Sequence, residues 1–202
     1  MIDTTVKVAD KLVGEYDIIP NPWIKEFYNE NQELVSVEFH GITAIRFGEF
    51  YGCRNLALTS LPEGLTSIGD CAFQDCKNLA LTSLPESLTS IDDLAFAGCT
   101  NLALTSLPEG LTSIGMNAFS GCTNLALTSL PESLTGIGAN AFKNCTSLTS
   151  ITFKGTPTSI VSNTFNGCTN LTDIKVPWAE GAVSSAPWGA TNATITYNYT
   201  GE

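Results

Sequence analysis

Seven cysteines, one histidine, a pair of adjacent aspartates and four evenly spaced glutamates are the residues of this 202-residue chain whose types and spacing could do chemistry. Six of the cysteines (Cys53, Cys76, Cys99, Cys122, Cys145 and Cys168) stand 23 residues apart. A thiol can be a nucleophile, a metal ligand or a disulfide partner. Zinc sites use pairs at C-x2-C spacing with further Cys or His, and no cysteine here has that setting. Seven cysteines in a small secreted domain would suggest disulfides. Side chains at one repeat offset, however, point the same way on neighbouring coils, so a buried ladder of free thiols is expected, with Cys packing as a small hydrophobe. Cys71 is the exception. It shares its position with Leu94, Asn117 and Asn140 and is expected nearer the surface, as an idle thiol. His40 is the only histidine, without a repeated partner, and reads as a surface residue. Asp92 and Asp93 form an isolated acidic pair in a variable turn.

No local or repeated set joins a nucleophile, a base and an oxyanion donor, and no G-x4-G-K-[ST] phosphate loop occurs. The expectation is a protein that is not an enzyme and needs no metal or cofactor. Glu63, Glu86, Glu109 and Glu132 recur at the same turn. Exposed charges about 5 Å apart in water repel by about 1 kcal/mol or less. Such a row could attract Ca²⁺ or a basic partner, and solvated turn residues are the plain expectation.

The elements that position these residues follow from one period. Phe-x-x-Cys occurs at Phe50, Phe73, Phe96, Phe119, Phe142 and Phe165, always 23 residues on, with no insertion or deletion. A fixed period of 20 to 30 residues with Leu and Ile at set offsets marks a leucine-rich solenoid. Counting from each Cys, apolar residues fall at +3 (Leu56 and its equivalents), +8 (Leu61, Leu84, Leu107, Leu130, Phe153, Val176), +12 and +15 (Ile68, Ile91, Ile114, Ile137, Ile160, Val183). One coil cannot bury such a face alone, whereas stacked coils align like side chains into a continuous core. The Leu-x-x-Leu/Ile-Pro piece is expected to form the short strand, closed by Pro62, Pro85, Pro108 and Pro131, because proline lacks a ladder N–H. The Ile-Gly-x-x-Ala-Phe-x-x-Cys piece is expected to form about one helical turn. Seven coils at about 4.8 Å per strand would make a rod roughly 30 to 35 Å long.

Ser67-Ile68-Gly69 with Ala72-Phe73-Gln74-Asp75-Cys76, and Leu148-Thr149-Ser150-Ile151-Thr152-Phe153, carry a resemblance. The chain is similar, from about Leu34 to Trp188, to the BspA-like class of leucine-rich repeats, the Treponema pallidum type. The resemblance implies a right-handed α/β solenoid, with short parallel strands on one face, short helical turns on the other, and caps at both ends. It also implies a non-enzymatic bacterial cell-surface or host-interaction protein that binds proteins or glycans. The earlier units depart from the pattern at offset +6, where Thr59, Thr82, Thr105 and Thr128 stand beside a Leu at +5. Either these threonines point inward as a hydrogen-bonded ladder or the register is shifted.

Composition limits the partners. The net charge is −11 and no basic residue lies between Lys77 and Lys143. Nucleic-acid affinity rests on neutralising phosphates with Lys and Arg, so nucleic acid is not expected, nor is an anionic membrane. No apolar run approaches the roughly 20 residues of a membrane span. Met1-Ile2-Asp3-Thr4-Thr5 lacks the basic start and apolar core of a signal peptide. A cytoplasmic or virion-associated protein is therefore weighed against a surface protein whose export signal has been removed.

The ends depart from the period. Residues 1–30 are expected to cap the first coil. Thr5 to Val13 could be a short helix or strand there, and Trp23, Ile24, Phe27 and Tyr28 are expected to cover the core. Residues 31–177 make six to seven coils, and residues 178–202 form a second cap with a closing strand over Ala193–Tyr199. Trp178, Trp188, Tyr197 and Tyr199 are an aromatic cluster there, a cap that could also serve as a contact patch, since Trp and Tyr dominate binding hot spots. Together with the four glutamates these are the candidate interaction residues. The exposed Ala57, Thr59, Ser60 and Glu63 recur almost unchanged, so a specific site is expected instead on the varying Gly-x-x and Phe-x-x steps or at the ends. Near-identical coils also fit an assembly component of a cell envelope or phage appendage, with self-association.

Overall fold

The computed structural model describes residues 21–201, with the short strands at 12–13 and 16–17. β1 (Leu12–Val13) pairs antiparallel with β2 (Tyr16–Asp17), and the rest of the Thr5–Val13 segment lies outside the described residues. β3 (Ile24–Tyr28) and β4 (Leu34–Phe39) make an antiparallel hairpin. Then come β5 (Ala44–Ile45), β6 (Ser67–Ile68), β7 (Ser90–Ile91), β8 (Ser113–Ile114), β9 (Ser129–Leu130), β10 (Gly136–Ile137), β11 (Ser150–Phe153), β12 (Ser159–Ile160), β13 (Asp173–Lys175) and β14 (Thr194–Thr196). A six-stranded parallel sheet runs β5-β6-β7-β8-β10-β12, and a four-stranded parallel sheet runs β9-β11-β13-β14. Ser67 pairs with Ser90 and Ile68 with Ile91, one period apart. The result is a right-handed solenoid in which each residue stacks on its own equivalent.

The core is a set of ladders. Phe50, Phe73, Phe96, Phe119, Phe142 and Phe165 are fully buried, with successive ring centroids 5.1 to 5.5 Å apart. Burying side chains of this size supplies about 2–3 kcal/mol each. Isoleucines at β6, β7, β8 and β10 and leucines at +3 and +12 form parallel ladders beside them. At the N-terminal end Ile24, Tyr28 and Phe39 pack on this core, and Phe39 meets Phe50 edge-on at 6.2 Å. Trp23, expected to help cover it, is instead 58% exposed.

Two expectations are corrected. The first concerns the regular strand of the coils between Cys53 and Cys122, which is Ser-Ile at +14 and +15 rather than the Leu-x-x-Leu-Pro piece. Leu56, Leu58 and Leu61 all point inward while Thr59 and Ser60 are exposed. The register is thus shifted, the threonines face outward, and period-2 alternation is broken. Where alternation returns, with Ile151 and Phe153 inward, a four-residue strand forms. The second concerns the turn side, which contains no helix among the described residues. Cys71, Leu94, Asn117 and Asn140 have φ of 56 to 59°, and Asp75, Gly98, Gly121, Asn144 and Gly167 follow at 58 to 76°. Two left-handed residues per coil forbid a helix. Alternate N–H groups instead reach the next coil, as Phe73 N–H does to Ala95 O at 2.8 Å and Asp75 N–H to Ala97 O at 2.7 Å. The strand side donates the other way, Gly69 N–H reaching back to Ile45 O at 2.9 Å. No helix among the described residues is long and apolar enough to cross a membrane.

Candidate interaction surface

The thiols do structural work. Cys76, Cys99, Cys122, Cys145 and Cys168 are buried and are not joined by disulfides. Each S–H donates to the backbone carbonyl of the preceding coil's Phe, at 2.9 to 3.1 Å. Burial pushes the thiols of Cys99, Cys122 and Cys145 up, and that of Cys168 up to about 11. Neutral thiols are poor nucleophiles and poor metal ligands. Half-buried Cys71 is likewise raised, by burial first and then by Asp70 and Asp93. No group of three or more His, Cys, Asp or Glu able to hold a metal occurs among the described residues. His40 is exposed, with its backbone N–H on Trp23 O at 2.8 Å.

Glu63, Glu86, Glu109 and Glu132 are all exposed, as solvated turn residues are. Lys154, which stands where the other coils carry the strand-ending proline, reaches back to ion-pair with Glu109. The hydroxyl ladder that does form was missed. Thr66, Thr89, Thr112, Thr135 and Thr158 each donate Oγ1–H to the carbonyl of the threonine one coil earlier, at 2.8 to 3.0 Å. These bonds run within the stack, so the row holds coils together.

The break in the repeating surface lies at the seam between the Ser-Ile strands and the turn side. One offset there reads Arg46, Gly69, Asp92, Gly115, Gly138, Val161. Gly115 and Gly138 are forced by close stacking. A Cβ on Gly115 would lie 2.5 Å from the Asp92 carbonyl carbon, and one on Gly138 2.5 Å from the Met116 nitrogen. Two glycines between two larger residues leave a groove, with Asp92 at one end and 37%-exposed Val161 at the other. Gly136 widens it, standing where four other coils carry Ser67, Ser90, Ser113 and Ser159, with open space where its Cβ would be. Asp70 and Asp93 complete the acidic end. Asp70 Oδ1 accepts from the Asp93 N–H at 2.9 Å, and Asp93 Oδ1 from the Met116 N–H at 2.6 Å. These two carboxylates are held by backbone. Asp92 has no such donor, and burial, then Asp70 and Asp93, push its carboxyl up. The groove can bind a ligand with a cationic or donor-rich end and an apolar end. The sequence held the signal for it, one offset compared across coils.

At the C-terminus Trp188 is fully buried and Trp178 nearly so. They lie 5.7 and 5.3 Å from the Phe153 ring, and Trp188 Nε1–H donates to Ser184 O at 2.9 Å. The two indoles therefore pack into the core, and only Trp178 keeps a sliver of exposed surface. Tyr197 and Tyr199 are half-buried, and Lys175 Nζ stands 5.0 Å from the Tyr199 ring. The structure brings the four aromatic candidates to one end, and neither they nor the four glutamates line the groove.

The model of the BspA type leucine-rich repeat region matches in six copies, over residues 24–126 and 95–184. No curated protein matches the chain. Among solved structures, a leucine-rich repeat protein of T. pallidum superposes with a TM-score of 0.59 at 27% identity, over 78% of this chain and 84% of that one. A leucine-rich repeat protein of Bacteroides ovatus gives 0.58 at 28%, over 79% and 47%. The pneumococcal vaccine antigen PcpA gives 0.58 at 21%, over 85% and 47%, a likeness of fold. The chain thus spans most of the first relative and about half of the other two.

Proposed function

The chain belongs to the BspA-type leucine-rich repeat family, and on that footing we propose that it is a non-enzymatic interaction module of a bacterial surface that binds a protein or glycan through the groove between Asp92 and Val161. The observation that carries this reading is the break itself. Core and strand rows repeat almost unchanged, while the groove changes size, charge and polarity from coil to coil. A repeated row offers every coil the same contact; a groove walled by different residues can select one shape. Three carboxylates at one end favour an amine or guanidinium of a protein partner, or a hydroxyl-rich sugar edge, and Val161 favours an apolar contact. The test is an immobilised panel of mucins, extracellular-matrix proteins and glycans, probed with the 202-residue chain. Saturable binding to at least one component is expected. Binding no better than that of a scrambled-repeat chain of equal composition contradicts the reading.

A further inference from the structure

We propose that the free edge of β14 is a self-docking edge, along which two copies of this chain pair antiparallel about a two-fold axis at Thr196. β14 is the outermost strand of its sheet, paired with β13 on one side only. Thr194 N–H donates to Thr172 O at 2.9 Å, and Thr196 O accepts from Val176 N–H at 2.9 Å. In a parallel pair alternate residues point their backbone groups at the neighbour. The N–H and C=O of Ile195 and Tyr197 therefore face away from β13, as an open edge.

Proteins commonly guard such edges with Lys, Pro, a bulge or a covering segment. Residues 189–201 contain no proline and no charged side chain. Three observations select a second copy as the occupant. The outward groups lie two residues apart, so Ile195 of one copy set opposite Tyr197 of the other satisfies both N–H and C=O pairs, twice about the axis. An edge that matches itself in this way suits an isologous interface. The side chains agree with it: Ile195 and Tyr197 are half-buried against the core, whereas Thr194 and Thr196 are exposed. Pairing brings each Ile195 beside a Tyr197, an aliphatic–aromatic cross-strand contact of the stabilising kind. Charge agrees too. The chain carries −11, and copies meeting along the acidic coils would repel, whereas residues 189–201 along this edge carry no charged side chain.

The test is sedimentation equilibrium of the whole chain over a concentration series, with two variants at the axis. Wild type is expected to shift from 21.4 kDa toward twice that mass. Thr196→Lys puts two ammonium groups opposite one another while keeping every bond to β13, and is expected to weaken the dimer about tenfold or more. Thr196→Cys places two thiols in a non-hydrogen-bonded antiparallel pair, where Cβ atoms come near enough for a disulfide. Mild oxidation is then expected to give a covalent dimer that wild type does not form, and this readout stands even if Thr196→Lys fails to fold. A wild type that stays monomeric up to about 1 mM overturns the proposal, including the case where the edge pairs with a foreign extended segment. So does a dimer that neither variant alters.

Discussion

The strand side and the turn side of the same coils differ in what they repeat. On the strand side Thr66, Ser67 and Ile68 recur with little change, and Ser67 and Ile68 pair in register with their equivalents Ser90 and Ile91 one coil away. On the turn side the hydrogen bonds run in the opposite direction and the residues change from coil to coil. Part of that change has a backbone cause. Asn117, Asn140, Gly98, Gly121 and Asn144 occupy left-handed positions, where Gly and Asn are the residues that fit. What is left after subtracting them is a short set, with Asp70, Asp92, Asp93, Met116 and Val161 foremost. Variation alone therefore overstates a recognition surface, and variation that the backbone does not demand locates it.

The sharpest way to break this comparison is a small side chain on each side of the seam. Gly138→Ala drives a Cβ into the Met116 backbone and is expected to cost about 3 kcal/mol, the upper range for overpacking. Gly136→Ser restores the serine row into open space and is expected to change stability by less than about 0.5 kcal/mol. Urea melts of the two variants check both. A smaller effect separates backbone demand from side-chain choice. Leu94 holds a left-handed φ of 59° where two other coils use Asn, so Leu94→Asn is expected to stabilise by about 1 kcal/mol, read in the same melts.

The smallest effect concerns pH. The native state holds the Asp92 proton more tightly than the unfolded chain, because burial and the two neighbouring carboxylates raise its pKa. The ionised form therefore weakens the fold above that raised value, and the penalty is gone once the unfolded carboxyl is protonated too. Asp92→Asn is expected to melt above wild type at neutral pH and to lose that advantage near pH 3, below the ordinary Asp value of about 3.9. Thermal melts across that range check it.

Much of the stack was legible in the sequence because a strict period leaves identical side chains only one way to align. The buried thiols of Cys76, Cys99, Cys122, Cys145 and Cys168 followed from a shared offset, although Cys53 at the head of that row is only half-buried, and the buried tryptophans followed from their core positions. The strand register was not legible, since Leu58 at +5 and Leu61 at +8 leave an odd spacing that either register could take. The turn side was misread as helical because Gly-x-x-Ala-Phe-x-x-Cys has a helix-like spacing, while left-handed φ at Cys71 and Leu94 leaves no mark in those residue types. The groove needed one column read across coils, from Gly69 through Asp92 to Val161, rather than one coil read along its length.

The central claim is that recognition belongs to the groove and not to the repeated acidic row, and two charge reversals of equal size test it directly. Asp92→Lys and Glu86→Lys each change the net charge of −11 by the same amount. Against the panel component that binds wild type, Asp92→Lys is expected to lose about tenfold or more in affinity and Glu86→Lys to stay within about twofold. Equal losses, or a larger loss for Glu86→Lys, would contradict the account and move the binding surface to the glutamate row.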